Sequence, residues 1–456
     1  MSYLLNLLYL AALAILSPWL VWRAARTGRY REGFAQKFLG QAPVRQGNRP
    51  CLWLHAVSVG EVNLLATLLA EVSRARPDWE CVVSTTTRTG YELARKKYAH
   101  LSVFYCPLDL SWAVRAAMRR VRPSCLVLAE LELWPNLIRA ARESGARVAI
   151  VNGRLSEKSF RGYRRCRPVA AAMLHQLDLI AVQDEAYAVR FLALGAVSST
   201  VHVTGSMKYD GAETDRNNAK TVRLRTLAGF APDDIVFLAG STQEPEEQLA
   251  LTTYRELVAE HPRLRLVLVP RHPERFADVA HMLAASGVQW QRRTNLDVQP
   301  ANPRARVLLV DAVGELGAWW GTARVAFVGG SMGTRGGQNM IEPAAYGAAV
   351  SFGPNTRNFR DIVARMLAQE AAVVVHDGEE LTAFVRRCLT DVPFADGLGE
   401  RARALVASQL GATRRTREQL DSLPGLARLS SPQAPHTRAA HHGLPNPSNS
   451  RYNAAS

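Results

Sequence analysis

From residue 50 onward, the chain alternates short runs of apolar and β-branched residues with longer segments of helical pattern. Runs of this kind have the length of strands buried on both faces, and their alternation with helices predicts repeated βαβ units. Such units build a parallel sheet covered by helices, so the predicted fold class is α/β. The predicted strands lie at residues 51–56, 80–85, 102–106, 125–130, 147–153, 178–183 and 201–206, and then at 234–241, 264–270, 306–311, 325–331, 348–353 and 371–376.

The two series of strands are separated by a polar stretch, residues 210–220, which we interpret as a linker. The chain has 456 residues, which is long for one core at roughly 150 residues per domain. We therefore expect two α/β domains, residues 46–209 and 221–423, that face each other across a cleft where ligands bind. Residues 424–456 are rich in Pro, Ser and Asn, and we expect a disordered tail.

Residues 3–22 contain no charged side chain and are long enough, as a helix, to cross a bilayer. The first basic residues follow at once, so the positive-inside rule places the rest of the chain on the cytoplasmic side. We expect residues 1–45 to form a membrane anchor with a basic juxtamembrane segment that includes Arg23, Arg26, Arg29, Arg31 and Lys37. A helix lying in the membrane interface is the alternative, because Asn6 and Pro18 weaken a clean span. A signal peptide is disfavoured, since no Lys or Arg precedes residue 23.

The chain is strongly basic, with 56 Lys and Arg against 40 Asp and Glu and a formal net charge of +16. This surplus indicates an anionic partner, which is a nucleic acid, a phospholipid or a phosphorylated substrate. The six cysteines are widely spaced without a CxxC or zinc motif, so we predict reduced thiols and no metal site. Neither a Walker A motif nor a GxGxxG motif is present.

Polar residues follow the predicted strands of the first half. Glu61 stands where the first strand leads into a helix, so it can accept a proton from a bound hydroxyl or simply favour the positive end of the helix dipole. We expect the helix start to lower its pKa. Because the carboxyl ends of parallel strands share one crevice, we expect other polar residues to converge there. These residues are His55, Ser58, Thr85, Thr86, Thr87, Arg88, Glu130, Glu132, Asn152, Arg154, Ser156 and Lys208.

Glu130 and Glu132, together with Arg154 and Lys208, predict a pocket of mixed charge. Such a pocket suits a general base with cationic support for an anion. The two glutamates are two positions apart, so at the end of an extended strand they would point to opposite faces. We therefore expect only one of them to meet a substrate.

The second half carries residues suited to a phosphate. Gly240–Thr242 and Gly329–Ser331 each follow a predicted strand, and glycines let the backbone approach a phosphate beside the N–H groups of a helix start. Arg271, after Pro270, adds a bidentate cation. We expect Glu342 to accept the two hydroxyls of a ribose.

At HAVSVGEV, AELELWPN, NGRLS, GSMKYD, PRHPERF and RGGQNMIEPAAYG, the chain resembles the Kdo (3-deoxy-D-manno-octulosonic acid) transferases of lipopolysaccharide synthesis, glycosyltransferase family 30. The resemblance covers residues 1–420. It implies a GT-B fold of two Rossmann-like domains and an inverting transfer of Kdo from CMP-Kdo, with no cofactor and no metal in the chemical step. The implied acceptor is the phosphorylated, acylated disaccharide precursor of lipid A (lipid IVA) at the inner membrane. No nucleic acid is implied as a partner.

By position in these motifs, the resemblance implies that Glu61 deprotonates the acceptor hydroxyl. Glu130 and Lys208 would stabilise the transition state, with Glu132 as the alternative to Glu130. His55, Ser58 and Arg154 complete the candidate substrate-binding residues of the first half. The implied contacts to CMP come from Pro270, Arg271, Val313, Gly314, Glu315, Asn339, Met340, Ile341 and Glu342.

The chain departs from the usual family pattern at two places on the donor side. Gln338 stands where the family often has His, and the loop GSTQEPEE contains Pro245, which stiffens the backbone. Two other functions stay open. One is a GT-B glycosyltransferase that uses a different nucleotide sugar, and the other is an inactive, membrane-tethered binding protein of the same fold. The number of Kdo residues transferred, the acyl-chain preference and the oligomeric state do not follow from the sequence.

Overall fold

The protein folds into two α/β domains, as expected, each built on a parallel sheet of seven strands. The computed structural model describes residues 2–27 and 32–426. Arg29 and Arg31 of the predicted basic segment and residues 427–456 of the predicted tail lie outside the described residues.

The first domain contains seven strands and nine α-helices among the described residues. Its strands are β1 (Cys51–His55), β2 (Glu80–Thr85), β3 (Ser102–Tyr105), β4 (Cys125–Ala129), β5 (Arg147–Gly153), β6 (Leu179–Val182) and β7 (Val201–Val203). They lie side by side in the order β3-β2-β1-β4-β5-β6-β7. Its helices are α1 (Ser2–Thr27), α2 (Phe34–Leu39), α3 (Val59–Ala75), α4 (Arg88–Lys97), α5 (Ser111–Val121), α6 (Pro135–Glu143), α7 (Glu157–Arg165), α8 (Arg167–Leu174) and α9 (Glu185–Ala193).

The second half of the chain repeats this architecture. Its strands are β8 (Ile235–Thr242), β9 (Leu264–Pro270), β10 (Trp290–Arg292), β11 (Val307–Leu309), β12 (Val325–Val328), β13 (Ala349–Phe352) and β14 (Val373–Val374). Their order is β10-β11-β9-β8-β12-β13-β14, and only β10 was not predicted from the sequence. The helices are α10 (Ala219–Leu227), α11 (Glu246–Leu257), α12 (Phe276–Ala285), α13 (Leu316–Trp319), α14 (Ile341–Ala345), α15 (Arg360–Ala368), α16 (Gly378–Thr390), α17 (Val392–Gln409) and α18 (Ala412–Asp421).

Both faces of each sheet are buried, which explains why the strands are almost continuously apolar. In β1, Trp53 packs into one cluster of the first domain, while Leu52 and Leu54 pack into the cluster on the opposite face. All three side chains are fully buried. Helices therefore cover the sheet on two sides, as parallel sheets require.

The strand order places a ligand crevice in each domain. In the first sheet the chain moves outward from β1 to β3 and then restarts on the other side with β4. The second sheet has the same reversal between β8 and β12. At such a switch point the loops after the two central strands diverge and leave a crevice beyond their carboxyl ends. The loops after β1, β4, β8 and β12 therefore border the two crevices.

The last helix, α18, packs on the first domain although it follows the second in sequence. Ala412 and Leu420 belong to the same buried cluster as Leu52 and Leu54. Arg76 of the first domain also binds Asp421, with 2.8 Å between Nη1 and Oδ1. The sequence-based division assigned residues 412–423 to the second domain, and the packing differs because these apolar side chains complete the core of the first.

Helix α1 is attached to the first domain by polar contacts near its N-terminus. Asn6 is buried and donates to the Ser111 hydroxyl at 2.7 Å, and the Tyr9 hydroxyl donates to Asp109 at 3.1 Å. Across residues 2–27 and 32–426, no helix combines the length and the apolar character that crossing a bilayer requires. The expected spanning anchor is therefore not supported.

Candidate active site

Glu61 lies at the start of α3, where it forms a capping box with Ser58. The Ser58 side chain accepts from the Glu61 N–H, and the Glu61 carboxylate turns back to accept from the Ser58 hydroxyl and from the Val57 N–H, both at 2.8 Å. This reciprocal arrangement satisfies N–H groups that a helix start leaves free. It also fixes the position of the carboxylate at the carboxyl edge of the first sheet.

The electrostatic environment of Glu61 differs from the expectation. Burial raises its pKa, and the nearby Glu130 adds to the shift, while the hydrogen bonds from Val57 and Ser58 act in the opposite direction. The expected lowering by the helix start is therefore wrong, because the loss of hydration outweighs the favourable contacts. A raised pKa makes the ionised form of Glu61 a stronger base.

Glu130 and Glu132 both lie near Glu61. Strand β4 ends at Ala129, and Glu130 has a φ of 56°, which takes the chain out of the extended conformation. The expectation that the two glutamates point to opposite faces of a strand therefore does not apply. Glu130 pairs with Lys208, with 2.9 Å between Oε1 and Nζ.

Glu132 lies in an environment that disfavours its charged form. Burial and the charges of Glu61 and Glu130 raise its pKa to about 7. Its Oε2 accepts a hydrogen bond from the Trp134 indole at 3.0 Å. At neutral pH the group therefore holds a proton for much of the time, which lessens the repulsion among the three carboxyl groups.

His55 lies beneath the site and has no exposed surface. Its Nδ1 is 2.9 Å from the Ser84 hydroxyl, which also accepts from the Trp53 indole at 2.7 Å. Burial lowers the pKa of His55 to about 4, so the ring is neutral at physiological pH. In this structure His55 supports the strand end below Glu61, and it presents no surface to a substrate.

A distortion in β5 links two parts of the first domain's site. The pairing of β5 with β6 is irregular between Ile150 and Gly153, and Asn152 has a φ of 55°. The buried Asn152 side chain accepts from the Met207 N–H at 3.0 Å. It thereby positions the segment that carries Lys208, a role that the sequence does not reveal.

In the second domain, a buried carboxylate organises the glycine-rich loop after β12. Glu246 accepts from the N–H groups of Gly330, Ser331 and Met332 at 2.7–2.9 Å, and also from Gln243. The sequence showed Glu246 only as one of several acidic residues in a first helical turn. The signal available in the sequence is the glycine-rich loop itself, because buried backbone N–H groups need an acceptor from elsewhere in the chain.

The other predicted CMP contacts fall into two groups. Asn339 donates to Glu342 at 3.0 Å, and burial raises the pKa of Glu342 while Arg271 opposes the shift. Ile341 lies beside them, Met340 is fully buried and Pro270 ends β9.

The loop at residues 313–315 forms the second group. Both Glu315 oxygens bind Arg293 at 2.8 Å, so this side chain supports the loop. Val313 is 78% exposed and Gly314 has a φ of 92°, which leaves the backbone of this loop open to a ligand.

A cavity of about 520 Å³ lies between the two domains. The predicted residues that line it are Arg154 and Lys208 from the first domain and Asn339 and Ile341 from the second, with Gly60 next to Glu61. Sequence reasoning missed other lining residues, namely Asn63, Gln183, Tyr209, Asn358, Asp361 and Arg365. No described His, Cys, Asp and Glu side chains group into a candidate metal site.

Comparisons with known proteins identify the family. Residues 26–211 match the family model described as 3-deoxy-D-manno-octulosonic-acid transferase (kdotransferase). The 3-deoxy-D-manno-octulosonic acid transferase of Haemophilus influenzae is 33% identical over 86% of this chain and 91% of its own length. The corresponding enzyme of Bordetella pertussis is 34% identical, over 91% of this chain and 99% of its own.

A solved structure supports the fold. The UDP-GlcNAc 2-epimerase of Neisseria meningitidis superposes with a TM-score of 0.53, at 12% identity, over 81% of this chain and 99% of its own. This likeness concerns the two-domain α/β architecture only. The sequence relatives carry the assignment further, because they match nearly the whole of both domains and share one activity. The chain belongs to the 3-deoxy-D-manno-octulosonic acid transferases and is a glycosyltransferase that transfers Kdo.

Proposed function

We propose that this Kdo transferase takes Kdo from CMP-Kdo and transfers it, with inversion, to the phosphorylated and acylated disaccharide precursor of lipid A. The observation that carries the proposal is the position of Glu61, a carboxylate of raised pKa at the crevice of the first domain. The cavity beside it extends to Asn339 and Ile341 of the second domain. An acceptor hydroxyl in the first domain would thus meet a donor held in the second.

The proposed reaction is a single displacement. Glu61 accepts the proton of the acceptor hydroxyl while the hydroxyl oxygen forms a bond to the anomeric carbon of Kdo. The bond between that carbon and the phosphate oxygen breaks, and CMP leaves with the electron pair. Negative charge moves during the reaction from Glu61 to the phosphate of the departing CMP. Lys208, oriented by Glu130, supplies positive charge at the cavity while this happens.

The donor side of the proposal rests on the second domain. The loop held by Glu246 presents backbone beside the crevice, and Arg271 and Asn339 lie at neighbouring strand and helix ends. We propose that Arg271 and Asn339 bind the phosphate and that Glu342, fixed by Asn339, accepts from the ribose hydroxyls. A cytidine nucleotide should therefore compete with the donor.

We further propose that α1 lies in the membrane interface at the cytoplasmic face of the inner membrane, where the acceptor resides. Arg23 and Arg26 stack on Trp19 and Trp22 at 4.8 and 5.1 Å, a pairing suited to the headgroup region. Apolar side chains of α1 are left exposed by the fold, namely Leu7, Leu10, Ile15, Leu16, Trp19 and Trp22. Exposed apolar surface of this kind binds membranes when cations adjoin it.

Two experiments test these assignments. Purified enzyme is incubated with CMP-Kdo and the tetraacylated acceptor, and mass analysis of the lipid reports both the reaction and the number of sugars added. A product formed equally well from a UDP-sugar would refute the donor assignment. For the membrane, co-sedimentation with anionic vesicles should fall strongly in a variant that combines Trp19→Ser with Trp22→Ser, and unchanged binding would refute the role of α1.

A further inference from the structure

Two ion pairs cross the cleft between the domains. Arg154 of the first domain lies against Asp361 in the first turn of α15, with 2.8 Å between Nε and Oδ2. In the second ion pair the cation comes from the second domain: Arg365 pairs with Asp184, which caps α9 of the first domain. Arg154, Asp361 and Arg365 line the cavity, so these charges face the space that the substrates would occupy.

The contact between Arg154 and Asp361 is close but poorly directed. The Nε atom of Arg154 is buried, and its N–H has no hydrogen-bond acceptor within the described part of the chain. The Tyr187 hydroxyl lies 3.4 Å from the same Asp361 oxygen. An arginine binds a carboxylate best through two parallel hydrogen bonds, so a second carboxylate with freedom to orient can hold Arg154 better than Asp361 does.

Three cations that line the cavity are neutralised by the protein's own carboxylates, whereas Arg360, which also lines it, is exposed. Arg154 has Asp361, Lys208 has Glu130 and Arg365 has Asp184. The transferred sugar is an acid, with a carboxylate on the carbon next to its anomeric centre. That carboxylate must find a cation inside the cleft, because a buried unpaired charge is costly. Any of the three paired cations can hold the sugar carboxylate only if its resident carboxylate gives way.

Arg154 is the cation whose position fits the sugar. It belongs to the first domain, on the side of Glu61, whereas the nucleotide is held by loops of the second domain. The transferred sugar has to lie between these two groups of residues. We propose that Arg154 and Tyr187 bind the carboxylate of the transferred sugar acid, an inference that rests on the proposed donor. In the absence of the donor, the Asp361 carboxylate occupies this site, and the donor displaces it.

The experiment compares the binding of CMP-Kdo and of CMP, which lacks the sugar carboxylate, by calorimetry without acceptor. Arg154→Gln should weaken CMP-Kdo by about tenfold or more, the size expected for a lost charged hydrogen bond, and leave CMP nearly unchanged. Asp361→Asn should act in the opposite direction and tighten CMP-Kdo by about threefold, because it removes a competing charge.

Asp184→Asn is the matched control. It weakens the second ion pair between the domains but leaves Arg154 and Asp361 intact, so the ratio of CMP-Kdo to CMP affinity should stay at the wild-type value. Thermal melting of each variant establishes that it is folded. Opposite effects of Arg154→Gln and Asp361→Asn support the inference, since a simple latch between the domains would respond to both in the same direction.

Three results would overturn it. Equal weakening of CMP and CMP-Kdo by Arg154→Gln would place Arg154 at the nucleotide. Weaker CMP-Kdo binding in Asp361→Asn, or the same effect from Asp184→Asn, would identify the ion pairs as a latch only. Failure of the wild-type protein to bind CMP-Kdo would refute the proposed donor, and this inference with it, whereas the first two results leave the donor assignment standing.

Discussion

Replacing Glu61 with Gln isolates the charge of the proposed base. Glutamine keeps the shape of the side chain, and its amide can preserve the capping box by accepting from the Val57 N–H and donating to the Ser58 oxygen. The free energy of unfolding should therefore change by less than about 1 kcal/mol. What the variant loses is the ability to take up a proton.

The expected effect on turnover follows from the environment of Glu61. General base catalysis contributes about 10²–10⁴ in rate, which corresponds to roughly 3–5 kcal/mol of activation free energy. Because burial raises the pKa of this carboxyl group, its ionised form is a stronger base than an exposed glutamate. We therefore expect Glu61→Gln to lower kcat by about a thousandfold or more.

The assay measures initial rates of lipid product with saturating acceptor, together with calorimetric binding of CMP-Kdo. Binding should persist, since Glu61 lies in the first domain. Glu143→Gln is the matched control, because this glutamate is exposed on α6 and pairs only with Arg115 and Arg139 among the described residues. A folded Glu61→Gln variant that retains kcat within about tenfold of the wild type would refute the assignment of the base.

Three further substitutions extend the reasoning. Ser58→Ala removes a hydrogen bond that lowers the pKa of Glu61, so the acidic limb of the kcat/KM profile should move to higher pH, and an unmoved limb would contradict this. The pKa of Glu132 is raised to about 7, so the folded state binds more protons than the unfolded state between about pH 4.5 and 7 and loses stability as the pH rises. The free energy of unfolding, measured with urea at about pH 5 and pH 8, should decrease between these two pH values. This decrease should be roughly 1–2 kcal/mol smaller in Glu132→Gln than in the wild type, and equal decreases would argue against the raised pKa. Glu246→Ala leaves buried N–H groups of the donor loop unpaired, at about 1–3 kcal/mol each, so CMP binding should fall by about tenfold or more. Wild-type affinity for CMP in that variant would show that the loop does not depend on Glu246.

The positions of the strands were readable in the sequence because strands buried on both faces have a compositional signature that is purely local. Strand β10 was missed because its three residues, Trp290–Arg292, are only half buried and two of them are polar. The strand positions also predicted which residues lie at the crevice, because the loops after parallel strands meet at one edge of the sheet. Glu61, Glu130 and Lys208 were singled out in this way, whereas their catalytic roles came from the family resemblance and remain predictions.

What the sequence could not supply depends on burial and on distant contacts. The sign of the Glu61 pKa shift was wrong because the helix dipole is a local effect, whereas desolvation depends on the whole fold around the residue. The arrangement of Glu130 and Glu132 was misjudged because the strand ends one residue earlier than predicted, at Ala129. The cross-domain partner of Arg154, Asp361, is more than two hundred positions away and carries no local signal.

The return of α18 to the first domain has a consequence for any attempt to divide this enzyme. The polypeptide passes between the domains twice, and Asp210 at the first passage accepts hydrogen bonds from the N–H groups of Gly411 and Thr413 at the second. A fragment cut after residue 209 would expose the apolar surface that Ala412 and Leu420 cover. Such a fragment should aggregate when expressed alone and should be solubilised by a co-expressed peptide of residues 410–426. Helix α18 thus belongs to the domain that opens the chain, and the two connections between the domains lie side by side.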